Sequence, residues 1–176
     1  MFYTGVGSRT TPNNILEEMR NWAKQLAKAE YTLRSGGADG ADMAFEIGCD
    51  DVKGSKEIYL PWKNFNKNPS PLYNIPDKAY IIAQMYLPHW LYLKPPVKKL
   101  MARNAMQVLG ETLDVKSSFV LCWTPDGCIS DETRTKKTGG TGQAISIASG
   151  WNIPVFNLQR EDASDNLIKF LNENTI

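Results

Sequence analysis

Apolar residues at Ile15, Leu16, Met19, Trp22, Ala23, Leu26 and Ala27 recur every three to four positions, the period of a helix with one buried face. Thr11-Pro12 ahead of them reads as an N-cap followed by proline at the first helical position, so a helix is predicted to about residue 29. Residues 2–6 and 31–34 are short and largely apolar and run into glycine turns, as parallel strands do. Met43, Ala44 and Ile47 share one side of a predicted helix over 39–48, and residues 56–60 supply a third strand. This alternation of strand and helix is the signature of a parallel sheet with crossovers. Helices are also predicted over 77–85 and 97–109, kept apart by Pro88, Pro95 and Pro96, which cannot sit inside one continuous helix. Residues 117–123 and 153–158 read as buried strands, a helix opens near residue 139 and runs to 148, and an amphipathic helix over 162–171 closes the chain. The predicted fold class is α/β: a single domain over 1–176, mostly parallel sheet, with helices on both faces.

Two stretches break the periodicity. Residues 61–76 are rich in Pro and Asn, and a loop of that length is expected to serve as a functional cover, with 61–96 as an inserted lid. Residues 124–138 are polar and contain Gly127, which predicts an exposed loop.

A chain of 176 residues can bury a full core without staples. Its net charge of +1 argues against a general nucleic-acid coat protein. The charge is uneven, however: residues 61–110 carry Lys63, Lys67, Lys78, Lys94, Lys98, Lys99 and Arg103 against the single acid Asp77. That stretch is either an anion-facing surface or an ordinary solvated face. Trp62, Phe65, Tyr73 and Trp90 lie within it and can stack a base, although core packing is the usual fate of such residues. Cys49, Cys122 and Cys128 are odd in number and lack CxxC spacing, so neither a disulfide framework nor a metal site is expected. His89, the one histidine, reads as a packed or surface residue. No apolar run is long enough for a membrane span and no leader pattern opens the chain, so the expected location is the cytoplasm, away from membranes.

Candidate chemistry sits in the glycines. Gly5-Val6-Gly7-Ser8-Arg9, Ser35-Gly36-Gly37-Ala38-Asp39-Gly40-Ala41-Asp42 and Thr138-Gly139-Gly140-Thr141-Gly142-Gln143 each fall where a strand hands over to a helix. Backbone N–H groups freed at a helix N-terminus bind phosphate, and glycine lets the backbone approach it closely. A cradle for a phosphorylated nucleoside follows, built from two sides. Arg9 can fork two N–H bonds onto a phosphate, or it is a surface arginine. Asp39 and Asp42 can accept from ribose hydroxyls, although Asp39 also stands where an N-cap is wanted. Glu46 lies one turn beyond Asp42, as a catalytic partner or as part of an exposed acidic stripe.

With Arg103-Asn104-Ala105-Met106-Gln107-Val108-Leu109-Gly110, these motifs occur in an order that resembles DNA-processing protein A. Over most of its length the chain looks like a member of the Rossmann-like SLOG superfamily, which joins that protein to the Lonely-Guy phosphoribohydrolases, and most like the small versions in bacteriophage genomes. The resemblance implies a nucleotide-binding fold in which Gly7, Ser8, Arg9, Ser35, Gly36 and Gly37 line one pocket. It places Arg103 and Asn104 at the start of a helix, holding phosphate and sugar. For a phage-encoded chain it implies the host cytoplasm and an anti-defence role.

One departure matters. Lonely-Guy enzymes carry a catalytic glutamate shortly after the equivalent glycine loop, whereas here Gln143-Ala144-Ile145-Ser146-Ile147-Ala148 contains no acid. Glutamine cannot act as a general base. Gly142 is followed by Gln143 rather than Lys-Thr, so P-loop ATP hydrolysis is not expected either. The favoured expectation is binding, even sequestration, of a small nucleotide ligand, with no cofactor. The alternatives are an N-glycosidic-bond hydrolase using Asp42 or Glu46, and a DNA-processing protein that binds single-stranded DNA. A nucleic-acid partner is the less favoured, and a homo-oligomer is left open.

Overall fold

The computed structural model describes residues 1–174. Five strands, β1 (Phe2–Gly7), β2 (Thr32–Ser35), β3 (Lys56–Ile58), β4 (Val120–Trp123) and β5 (Val155–Asn157), form one sheet in the order β3-β2-β1-β4-β5, with every pairing parallel. Six α-helices connect and flank them: α1 (Asn13–Lys28), α2 (Ala41–Asp51), α3 (Asp77–Met85), α4 (Pro95–Leu109), α5 (Thr141–Gly150) and α6 (Ala163–Asn174). The alternation along β4 and its lead-in shows why helices cover both faces. Phe119, Leu121 and Trp123 join a core with Met19, Trp22 and Leu26 of α1, Phe45 of α2 and Leu167 of α6. Val120 and Cys122 point the other way, into a core with Ile82 of α3, Ala102 and Met106 of α4 and Ile145 of α5. A strand buried on both faces reads as a continuous apolar run, which is the pattern of residues 119–123.

Most elements lie within a few residues of their predicted bounds; the cap of α1 differs in kind. Pro12, not Thr11, occupies the N-cap position, and the buried Thr11 hydroxyl donates to the Ser8 carbonyl at 2.6 Å, closing the turn after β1. The 124–138 loop is not simply exposed. Thr124 and Cys128 are fully buried, and the Asn157 side chain donates to Thr124 Oγ1 at 2.7 Å and to the Cys128 carbonyl at 2.8 Å.

Residues 61–76 are held in place along one edge of the sheet. Their backbone and side chains tie them to the β3 edge: Leu60 N–H donates to Leu72 O at 2.8 Å, Ser70 Oγ to Ile58 O at 2.6 Å, and Asn66 Nδ2 to Gly37 O at 3.1 Å. Phe65 within them is buried.

Helices α1 and α2 pack closely because Gly48 faces the α1 backbone. A Cβ there would lie 2.3 Å from the Arg20 carbonyl oxygen and 2.9 Å from Ala23 Cβ. Gly48→Ala gains about 1 kcal/mol of helix propensity. Separating two packed helices to relieve contact with main-chain atoms costs about 1–3 kcal/mol, which decides the sign. The variant is expected to be less stable by up to about 2 kcal/mol, read as a lower urea midpoint with unchanged slope.

Candidate functional site

At the C-terminal ends of β1 and β4 the chain leaves the sheet in opposite directions, the switch point at which open α/β sheets bind ligands. A cleft of about 380 Å³ opens there. One wall is the turn after β1, residues 7–10; the second is α4, through Leu100, Met101, Arg103, Asn104 and Gln107; the third is Pro125 with residues 137–141. Gly7 makes the first wall possible, since a Cβ on it would meet Ala41 Cβ at 2.7 Å and the Trp123 carbonyl at 3.0 Å.

The third wall ends in the N-terminus of α5. Gly139 has φ +66, and Gly140 stands at the N-cap with ordinary helical angles and no side-chain cap. Both glycines are exposed. A Cβ on Gly139 would meet nothing within 4 Å, and one on Gly140 only the end of Met101 at 3.8 Å. The bare main chain of Gly140 is therefore required neither by packing nor by its own conformation. Uncapped N–H groups at this end, with the helix dipole behind them, favour an anion. Exposed Arg9 and Lys137 add positive charge at the rim.

Arg103 and Asp42 form the floor, both buried. Arg103 Nη1 donates to the Gly36 carbonyl and, at 3.0 Å, to the Tyr59 carbonyl, while its Nε is buried with no hydrogen-bond partner. Burial lowers the guanidinium pKa to about 10 and Arg9 pushes the same way, against the opposing pull of Asp42. The Asp42 carboxylate accepts from Ala38 N–H at 3.4 Å and has the backbone N–H groups of Gly36 and Gly7 nearby. Burial raises its pKa to about 6, against the counter-effects of Arg103 and these donors. A carboxyl poised at that value in a cleft is able to exchange a proton near neutral pH.

Of the residues singled out in the sequence, the structure brings Gly7, Ser8, Arg9, Asp42, Arg103, Asn104, Gly139, Gly140 and Thr141 together on this cleft. Others stand behind it. Ser35 is buried and donates to the Gly5 carbonyl at 2.6 Å. Gly36 gives Arg103 its room, for a Cβ there would lie 2.0 Å from Nη1; Gly37, at φ +65, packs against Leu60. Gly142 and Gln143 are buried in the first turn of α5. Gln143 donates to the Ala83 carbonyl at 3.0 Å and accepts from Asn104 Nδ2 at 3.1 Å, so it orients Asn104 from behind. The position where a catalytic glutamate was sought thus holds a structural amide. Asp39 is exposed, and the N-cap of α2 is Gly40 without a side-chain cap, so Asp39 neither lines the cleft nor caps the helix. Glu46 faces away and binds Asn68 Nδ2 at 2.9 Å and Lys56 Nζ at 2.8 Å. Arg103 and Asn104 lie deep within α4 rather than at its start. No residue of 61–96 lines the cleft.

Sequence reasoning missed Lys137, and it carried Gln107 and Thr138 only as members of longer motifs, without a role. Lys137 lies two residues before Gly139, a signal that was legible. Its placement depends on Asp126, whose Oδ2 accepts from the hydroxyls of Thr135 and Thr138, each at 2.5 Å. Burial works to raise the Asp126 carboxyl, but these hydroxyls and that of Thr124 outweigh it and hold the pKa at about 2. Among the described residues no three His, Cys, Asp or Glu side chains come together as metal ligands, and no helix is long and apolar enough to cross a membrane.

No family model matches the chain, and no curated protein matches it. Among solved structures, DNA processing protein A from Helicobacter pylori, studied for its unique single-stranded DNA binding mode, is similar with a TM-score of 0.55. The two are 16% identical, over 96% of this chain and 72% of that one. At that identity the likeness is one of fold, and it agrees with the Rossmann-like architecture expected from the motifs.

Proposed function

We propose that the cleft binds a nucleotide by its phosphate, and that the nucleotide is a unit of a single strand of DNA. The observation that carries this reading is Gly140: a glycine with helical angles and free space at its Cβ, at an uncapped helix end flanked by Arg9 and Lys137. A bare main chain there serves an anion that approaches closely. The strand is preferred over a free nucleotide because the similar fold of DNA processing protein A is one that engages single-stranded DNA. The near-neutral net charge limits the phosphate contacts to a few, so affinity arises locally rather than from a basic coat.

A second reading rests on Asp42. A buried carboxyl with pKa about 6 in the cleft suits a ligand with a ribose or a labile glycosidic bond, as in a phage-borne protein of the SLOG type that captures or cleaves a nucleotide signal in the host cytoplasm.

Fluorescence anisotropy separates the two. A labelled single strand is expected to bind, with a log–log salt slope of about −1.4 to −2.1 for two to three phosphate contacts, and adenosine monophosphate is expected to compete only weakly. A mononucleotide that binds as tightly as the strand, or that releases free base over many turnovers, would favour the second reading.

A further inference from the structure

We propose that Trp62 and the start of α4 form a second subsite, which stacks a base of the same strand whose phosphate lies in the cleft; this rests on the strand-binding reading above. A separate groove of about 340 Å³ lies at that end of α4, lined by Trp62, Pro95, Pro96 and Lys99. Trp62 is 38% exposed, which leaves part of its indole open to a ligand. It is nevertheless held, edge-to-face on buried Phe65 at 5.2 Å and 90°. The Phe65 ring in turn lies 5.9 Å from the Arg103 guanidinium on the cleft floor. The tethering of residues 61–76 to the β3 edge thereby acquires a use, because a stacking platform must be rigid.

An indole edged by two prolines offers flat apolar walls that fit either a base or a proline-rich peptide. Charge selects the occupant. Lys63, Lys67, Lys94, Lys98 and Lys99 belong to the stretch 61–110, whose single acid is Asp77, and a strand supplies the anions that a proline-rich peptide lacks. Along α4, Pro96 and Asn104 are eight residues apart, about 12 Å at the helical rise. That separation suits two points on one continuous chain. Lys99 sits one turn before Arg103, so positive charge continues between the subsites.

The test uses the full chain, an oligothymidylate of about ten nucleotides and thymidine monophosphate as probes, and the variants Trp62→Ala and Trp62→Phe. Trp62→Ala is expected to weaken oligothymidylate binding about tenfold and to leave the monophosphate unchanged. Trp62→Phe, which retains a stacking face, is expected to stay close to the parent. Unchanged strand affinity in Trp62→Ala, with binding weakened in Gly140→Asp, would overturn the subsite and leave the cleft reading intact. Equal weakening of strand and monophosphate would overturn it too, by showing that Trp62 acts only through Phe65 and Arg103. Binding of a polyproline peptide that depends on Trp62, while the strand ignores Trp62, would assign the groove to a peptide instead. A parent protein that retains no strand at all would bring down both readings.

Discussion

Gly140→Asp is expected to fold like the parent and to lose affinity for a single strand, by about fivefold to nearly a thousandfold. The added Cβ has room, with only Met101 Cε at 3.8 Å, and the position has φ −64 and ψ −28. Aspartate is moreover a favoured N-cap residue, so helix stability is not expected to fall. The carboxylate occupies the seat that the anion needs. Two like charges about 4 Å apart repel by about 1 kcal/mol in water and about 4 kcal/mol at the rim of a protein cleft. The larger figure corresponds to nearly a thousandfold in affinity. Thermal melting and anisotropy on the same sample check both halves. An unchanged affinity in a folded Gly140→Asp protein would remove the α5 N-terminus from the site.

Arg103→Met is expected to destabilise the protein more at pH 7 than at pH 4, because it removes the buried positive charge whose field steadies the ionised Asp42 carboxyl. The pH dependence identifies the cause. Asp42 already has a folded-state pKa of about 6, above the 3.8 of a free side chain. Its contribution to stability is therefore fully present below the unfolded value and is lost as pH rises through about 6. Arg103 holds that pKa down, so removing it raises the folded value further and extends the loss toward neutral pH. Urea unfolding of Arg103→Met should show most of the deficit at pH 7 and much less near pH 4. Adding Asp42→Asn should restore much of the pH 7 loss. A residue of about 1–3 kcal/mol should persist at every pH, from the Gly36 and Tyr59 carbonyls left without a donor. A deficit that is equally large at pH 4 would show that Arg103 acts through those carbonyls and not through Asp42.

The fold was legible because its signals are local. Seven apolar positions between residues 15 and 27 specify α1, and the run ending at Trp123 specifies a strand buried on both faces. The site was half legible for the same reason. Glycines at strand-to-helix turns announce themselves, but what each glycine is for depends on what stands opposite. Gly36 makes room for Arg103, sixty-seven residues away along the chain, whereas Gly140 makes room for nothing in the protein. Helical spacing put Asp42 and Glu46 on one face without revealing that β3 and residues 61–76 draw Glu46 outward through Lys56 and Asn68. Asp126 gave no sequence signal, because its partners Thr135 and Thr138 are ordinary loop residues until the loop closes on itself.

Amide NMR of the labelled protein, titrated with a short single-stranded oligonucleotide, tests the central claim most directly. The largest shifts are expected at the N–H groups of Gly140 and Thr141, with accompanying changes at Ser8, Arg9 and Lys137. Shifts confined to surfaces away from the cleft, such as α6 or the exposed side of α3, with Gly140 and Thr141 unmoved, would contradict it.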